Sequence, residues 1–299
     1  MSPHEIKQIL VPVDFSDVSS NSLETAVAMS KRHLTTLTLI HIVENMFPLL
    51  SADPGGAPKM ILPDLVKAAN ERLNELAKAL RTQHDIVVKQ VVQTGNPADE
   101  ICRWAHLKAT DLIVMGTHGA SGLREFFMGS NAYRVVKNSP CPVMTIPGTN
   151  TWIDFKKILF PIRMVPNALD KYHVVRPIIR RNGSSLLIAG IVKKSEPESV
   201  IKMREFVESV KVKIEEDEVI CRSEIRPAED VAKEVLKISE LEKPDLIVIT
   251  ATLDSSLKDF FLGPYTQDIV NHARFPVLSI RARVAEESTE DEAQWQGHG

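Results

Sequence analysis

Short apolar, β-branched runs alternate along the chain with longer stretches in which apolar residues recur every third or fourth position. Residues 6–13 (IKQILVPV), 37–43 (LTLIHIV), 86–92, 112–115 (LIVM) and 143–146 read as strands, and their near-continuous apolar character marks strands buried on both faces. Helices are predicted over 18–32, capped by Ser16 or Asp17, and over 64–82, with helical spacing at Leu65, Ala68, Ala69, Leu73, Leu76 and Leu80. Further helices run from Asn96-Pro97 through Leu107 and over 131–137. Residues 45–63 form a long loop with several Pro and Gly residues, of a length that is usually functional or mobile. Such alternation implies parallel strands joined by right-handed crossovers. The expected fold is α/β and doubly wound: a five-stranded parallel sheet in strand order 3-2-1-4-5 with helices on both faces.

The pattern then occurs a second time. Lys157-Ile-Leu-Phe-Pro161-Ile-Arg163 echoes Gln8-Ile-Leu-Val-Pro12-Val-Asp14, and Asp245-Leu-Ile-Val-Ile249 echoes Asp111-Leu-Ile-Val-Met115. Leu257-Lys-Asp-Phe-Phe-Leu-Gly263 echoes Leu123-Arg-Glu-Phe-Phe-Met-Gly129, and Phe275-Pro-Val277 echoes Cys141-Pro-Val143. The repeat is a whole domain, far longer than a solenoid unit. The second copy is shorter in its middle, where Val192 runs almost directly into a helix near Glu196, so the loss falls on the loop after Val43. The chain is therefore expected to divide into a domain over 1–147, a linker over 148–155, a second domain over 156–283 and an acidic, disordered tail over 284–299.

One stretch carries chemistry. The strand at 112–115 empties into a loop containing Gly116, Gly119 and Gly122, after which Gly129-Ser130 opens a helix. Glycines let another molecule approach the backbone, and a helix start offers unpaired N–H groups and positive potential, which suit phosphate. No Gly-Lys-Ser/Thr follows, so this is not a P-loop. Ligands of doubly wound sheets bind beyond the carboxyl ends of the strands, where Asp14 and Gly116 face each other if strands one and four are neighbours. The second copy departs at these positions. Asp14 becomes Arg163, Gly116 and Gly119 become Thr250 and Leu253, Gly122 becomes Ser256 and Ser130 becomes Pro264, which removes an N–H and a hydroxyl.

Composition narrows the classes. A net charge of −3 over 299 residues argues against broad binding to nucleic acid or anionic lipid. Three scattered cysteines without a CxxC, and nine histidines without ligand spacing, fit a reducing cytoplasm and no structural zinc. The polar first residues lack a signal-peptide core, and no run of about 18 apolar residues predicts a membrane span.

Gly116-x-x-Gly119, nine residues, then Gly129-Ser130 resembles the nucleotide motif of the universal stress protein family, and Val11-Pro12-Val13-Asp14 and Pro142-Val-Met-Thr-Ile146 match its flanking strands. The resemblance covers both halves, as a tandem form. It implies ATP held by the first domain, with Asp14, beside Pro12 and Val13, on the adenine or ribose side. Val43 would reach the base edge through its backbone. Gly116 would admit the ribose and α-phosphate, and Gly119, Gly129, Ser130 and Asn131 would surround the phosphates. Any Mg²⁺ would be held mainly by phosphates and water. The family's dimers often pair through the last strand, so Val143–Ile146 and residues 277–280 are expected to pair within the chain as a pseudo-dimer, with a further homodimer and an unidentified protein partner as open expectations. The departures in the second copy argue against a second ATP.

Plainer roles stand beside these. Asp14 can cap the following helix, His118 can be solvated, Arg124 can be a surface charge, Phe126-Phe127 can be packing and Cys141 a buried small hydrophobe. No Walker lysine, evident general base or acidic metal cluster accompanies the loop, so a regulatory nucleotide binder is expected ahead of a slow ATPase or a module for another ligand.

Overall fold

A computed structural model describes residues 5–44, 62–118, 128–148, 151–164, 168–193, 197–251, 253–254 and 261–281. The first half runs β1 (Gln8–Pro12), α1 (Asp17–His33), β2 (Thr36–Val43), α2 (Leu62–His84), β3 (Val87–Thr94), α3 (Pro97–Leu107), β4 (Leu112–Gly116), α4 (Ser130–Asn138) and β5 (Val143–Ile146). The second runs β6 (Lys157–Ile162), α5 (Asp170–Asn182), β7 (Ser185–Lys193), α6 (Pro197–Glu215), β8 (Cys221–Ala228), α7 (Val231–Glu242), β9 (Leu246–Ala251), a small ribbon β10 (Leu253–Asp254) and β11 (Phe261–Leu262), α8 (Pro264–His272) and β12 (Val277–Arg281).

Each half has the expected order. The strands form one 10-stranded sheet, β3-β2-β1-β4-β5-β12-β9-β6-β7-β8, in which the second half mirrors the first. All neighbours within a half are parallel. The halves meet at β5 and β12, which pair antiparallel with Val277 opposite Thr145, Leu278 opposite Met144 and Ser279 opposite Val143. The expected pair of five-stranded sheets is thus one continuous sheet. Joining the two last strands covers backbone edges that would otherwise stay unpaired.

The strand period of two sorts the core. Ile9, Val11, Leu37 and Leu39 face α1 and α2, in a cluster that continues across the join to Ile158, Phe160, Ile178 and Val207 of the second half. Leu10, Ile40 and Ile113 point the other way, onto Ile101 of α3 and Val135 of α4. Leu159, Ile247 and Ile249 do the same onto α7 and α8. Burial of these side chains, at about 1.5–3 kcal/mol for each large aliphatic, is the main stabilising term.

The segment expected to link the halves is packed down. Arg32 of α1 donates to the Ile153 carbonyl at 3.0 Å and pairs with Asp154. Thr151 donates to Glu24, and the Trp152 ring meets Phe275 edge-on with centroids 5.8 Å apart. The tail expected over 284–299, the residues 119–127 and most of the loop predicted over 45–63 lie outside the described residues. Among the described residues no helix is long and apolar enough to cross a membrane.

Candidate functional site

Above the carboxyl ends of β1, β2 and β4 lies a cavity of about 340 Å³. Strand order reverses at β1 and β4, which opens the crevice there.

The floor comes from the β1–α1 turn. Val13 N–H donates to the Ile40 carbonyl at 2.8 Å, and the Val13 carbonyl accepts from Nδ1 of His41 at 2.6 Å. Asp14 Oδ1 accepts from both the N–H and the hydroxyl of Ser16, at 3.0 and 2.6 Å. Ser16, not Asp14, is the N-cap of α1, its oxygen accepting from Ser19 N–H. Asp14 therefore does not cap the helix as the plainer reading had it; it orients the capping residue and also lines the cavity. Phe15 takes the left-handed φ of 63°, uncommon for a residue with a side chain. Its ring lies 5.0 Å from that of His41, with Arg72 of α2 stacked 4.0 Å above it.

The opposite wall is the start of α4. Its N-cap is Gly129, and no side chain caps it. The first-turn amides of Ser130, Asn131 and Ala132 lie beyond the reach of any intrahelical acceptor, and these residues line the cavity. By contrast Ser16, Asn96 and Asp230 each cap their own helices with a side-chain oxygen. An uncapped helix start with no acid in its first turn is a positive wall made of backbone. Two contacts fix its position. Gly129 N–H donates to the Thr117 carbonyl at 2.8 Å, and Arg134 ties α4 to Asn96 and Asp99 of α3 at 2.9 Å.

The residues predicted from sequence fare differently. Pro12, Val13, Asp14, Gly116, Gly129, Ser130 and Asn131 all line the cavity. Gly119 lies outside the described residues. Val43 lies off the lining: its side chain is buried and its carbonyl accepts from Gly95 N–H at 3.1 Å, while Ile42 and Glu44 on either side face the cavity. Gly116 has a packing reason to be glycine besides its place in the cavity lining. A Cβ there would sit 2.6 Å from Cγ1 of Val18, so the glycine admits helix α1. At Gly129 a Cβ would meet nothing closer than 3.5 Å and φ is −59°, so neither packing nor backbone conformation demands glycine.

Sequence reasoning missed His41, Glu44, Pro97 and Ile101, which also line the cavity. His41 had a signal, being a polar residue inside an otherwise apolar strand. His118 also lines the cavity. Its Nδ1 lies 2.9 Å from the Thr117 hydroxyl and its Nε2 is buried without a partner. Among the described residues no group of three or more His, Cys, Asp and Glu could hold a metal ion.

The second half differs at the matching place. The guanidinium of Arg163, at the position of Asp14, lies 5.7 Å from the ring centroid of Tyr265, at the position of Asn131. Pro264 begins α8 without an N–H, and Thr266 N–H is turned back onto the Gly263 carbonyl at 3.0 Å. Lys171 is buried, donates to the Pro161 carbonyl and lies 4.3 Å over the Phe160 ring. Burial, with help from Arg163, lowers its ammonium to about 7.

The model of the universal stress protein family matches residues 5–147 and 173–281. Two relatives each match about half of the chain. Universal stress protein MJ0531 of Methanocaldococcus jannaschii is 32% identical over 140 residues, 47% of this chain and 81% of its own length. Universal stress protein YxiE of Bacillus subtilis is 30% identical over 144 residues, 46% of this chain and 97% of its own. A universal stress protein from Archaeoglobus fulgidus shares the fold at a TM-score of 0.73 and 18% identity, covering 93% of this chain and 99% of the other. With two family matches in succession over one continuous sheet, the chain belongs to the universal stress protein family as a tandem of two such units.

Proposed function

We propose that the protein is an ATP-binding regulatory protein, with the nucleotide held by the first half and the second half acting as scaffold and interface. A cavity of about 340 Å³ falls in the range of small-molecule sites. The phosphates would lie against the amides of Ser130, Asn131 and Ala132, with the Ser130 hydroxyl adding a donor. Adenosine would lie toward Asp14, Ile42 and Glu44. Among the described residues the lining includes two acids, Asp14 and Glu44, and no lysine or arginine. Polyphosphate charge would then be met by backbone dipoles and by Mg²⁺ carried on the phosphates themselves.

The observation that carries this reading is the asymmetry between the helix starts. Gly129-Ser130 starts a helix without a side-chain cap at the edge of a cavity, whereas Gly263-Pro264 has lost one amide and has Arg163 over the ring of Tyr265 beside it.

Calorimetry with ATP and with Ser130→Pro tests it. Proline is tolerated at the first helical position, so the variant removes one N–H and one hydroxyl while α4 persists. Wild type should bind ATP more tightly than millimolar, and the variant should lose about tenfold or more. No measurable affinity of the wild type for ATP or ADP below millimolar overturns the proposal.

A further inference from the structure

The amide just before the uncapped helix start is held by the other half of the protein. Met128 N–H donates at 3.1 Å to Oδ1 of Asn271, near the end of α8. A backbone N–H can only donate, so the carboxamide oxygen is the atom that faces Met128. The next amide, Gly129 N–H, goes to the Thr117 carbonyl of the first half at 2.8 Å. Two consecutive peptide groups are thus clamped from opposite sides of the join.

The Met128 side chain reinforces the clamp. It packs against the first-half cluster around Ile113 and Val135 and also against the second-half cluster around Ile247 and Ile269. Ala251 of β9 reaches into the first-half cluster as well. The loop that leaves β4 therefore returns to α4 through a residue lodged between the halves.

We propose that Asn271 is a positioning residue for the first-half cradle: it fixes Met128 and, through it, the direction in which the Ser130–Ala132 amides point. The inference rests on the nucleotide reading above. It gives the second half a role in the first half's site, although its own copy of the cradle has Pro264 in place of Ser130. Coupling of this kind is reciprocal, so a ligand in the cradle stiffens the contact with α8 as α8 stiffens the cradle.

The full chain is tested as wild type, Asn271→Ala and Asn271→Asp, by ATP calorimetry and by amide exchange at Met128. Asn271→Ala should weaken ATP by about tenfold and speed exchange at Met128. Asn271→Asp, which keeps an acceptor at the same reach, should keep Met128 protected. Protection across β5 and β12 reports whether the join survives in each variant. Wild-type affinity in Asn271→Ala, or Met128 exchange unchanged by it, overturns the positioning role and leaves the nucleotide proposal standing. Loss of the join in Asn271→Ala passes the decision to Asn271→Asp, where an unprotected Met128 in an intact join also overturns it. A wild type that binds no ATP removes the nucleotide reading and the positioning role together.

Discussion

Arg163 and Tyr265 meet across the mouth of the second crevice, guanidinium to ring at 5.7 Å, at the two positions that Asp14 and Asn131 occupy in the first. One substitution on each wall thus turns a cleft into a contact. A cation over an aromatic face contributes about 0.5–1 kcal/mol where exposed, so the contact favours these two side chains staying together. The chain should bind a single nucleotide, and the calorimetric stoichiometry checks it; two equivalent sites per chain would contradict this geometry.

Gly116 and Gly129 should respond oppositely to alanine. Gly116→Ala drives a Cβ to 2.6 Å from Val18 Cγ1 and should cost about 1–3 kcal/mol in urea unfolding, with Val18→Ala restoring much of the loss in the double variant. Gly129→Ala meets only ordinary contacts and should stay within about 1 kcal/mol of wild type. Equal losses at the two positions would remove the packing explanation for Gly116.

Lys171 makes stability depend on pH. Its folded value of about 7 lies below the ordinary 10.5, because burial disfavours the ammonium. Between those values the unfolded chain binds more protons than the folded one, so this group makes stability rise with pH across that window. The penalty is complete below about pH 7 and absent above 10.5. Lys171→Met should therefore stabilise by about 2 kcal/mol at pH 6 and by progressively less toward pH 10, as read by denaturant midpoints.

The thiols should be sluggish. Burial pushes Cys102 up to about 11, Cys141 to about 12 and Cys221 to about 11. Because the thiolate is the nucleophile, alkylation by iodoacetamide at pH 8 should run at least about tenfold slower than for the unfolded chain, followed by intact mass. Rapid labelling of Cys141 in the folded protein would show that its surroundings open.

Residue type and spacing alone determined a good deal. Buried parallel strands need apolar side chains on both faces, so LTLIHIV and LIVM were legible as strands, and their alternation with amphipathic helices pointed to a doubly wound parallel sheet; the expected order 3-2-1-4-5 is the one each half adopts. The duplication and the two unlike helix starts were equally plain, because proline and glycine act on their own backbone wherever they stand. Tertiary structure decided what depends on partners distant in the chain. The expected pairing of the last strands became an antiparallel join within one otherwise parallel sheet, with Val277 opposite Thr145. Only packing of α1 on β4 shows that Val18 also leaves no room for a side chain at Gly116. Only the closeness of β2 to β1 brings His41 and Glu44 to the crevice and turns Val43 away from it. A strand's period of two says which side chains share a face, but not what lies against that face. That is why Asn271 could be seen to hold Met128 only after the two halves had been brought together.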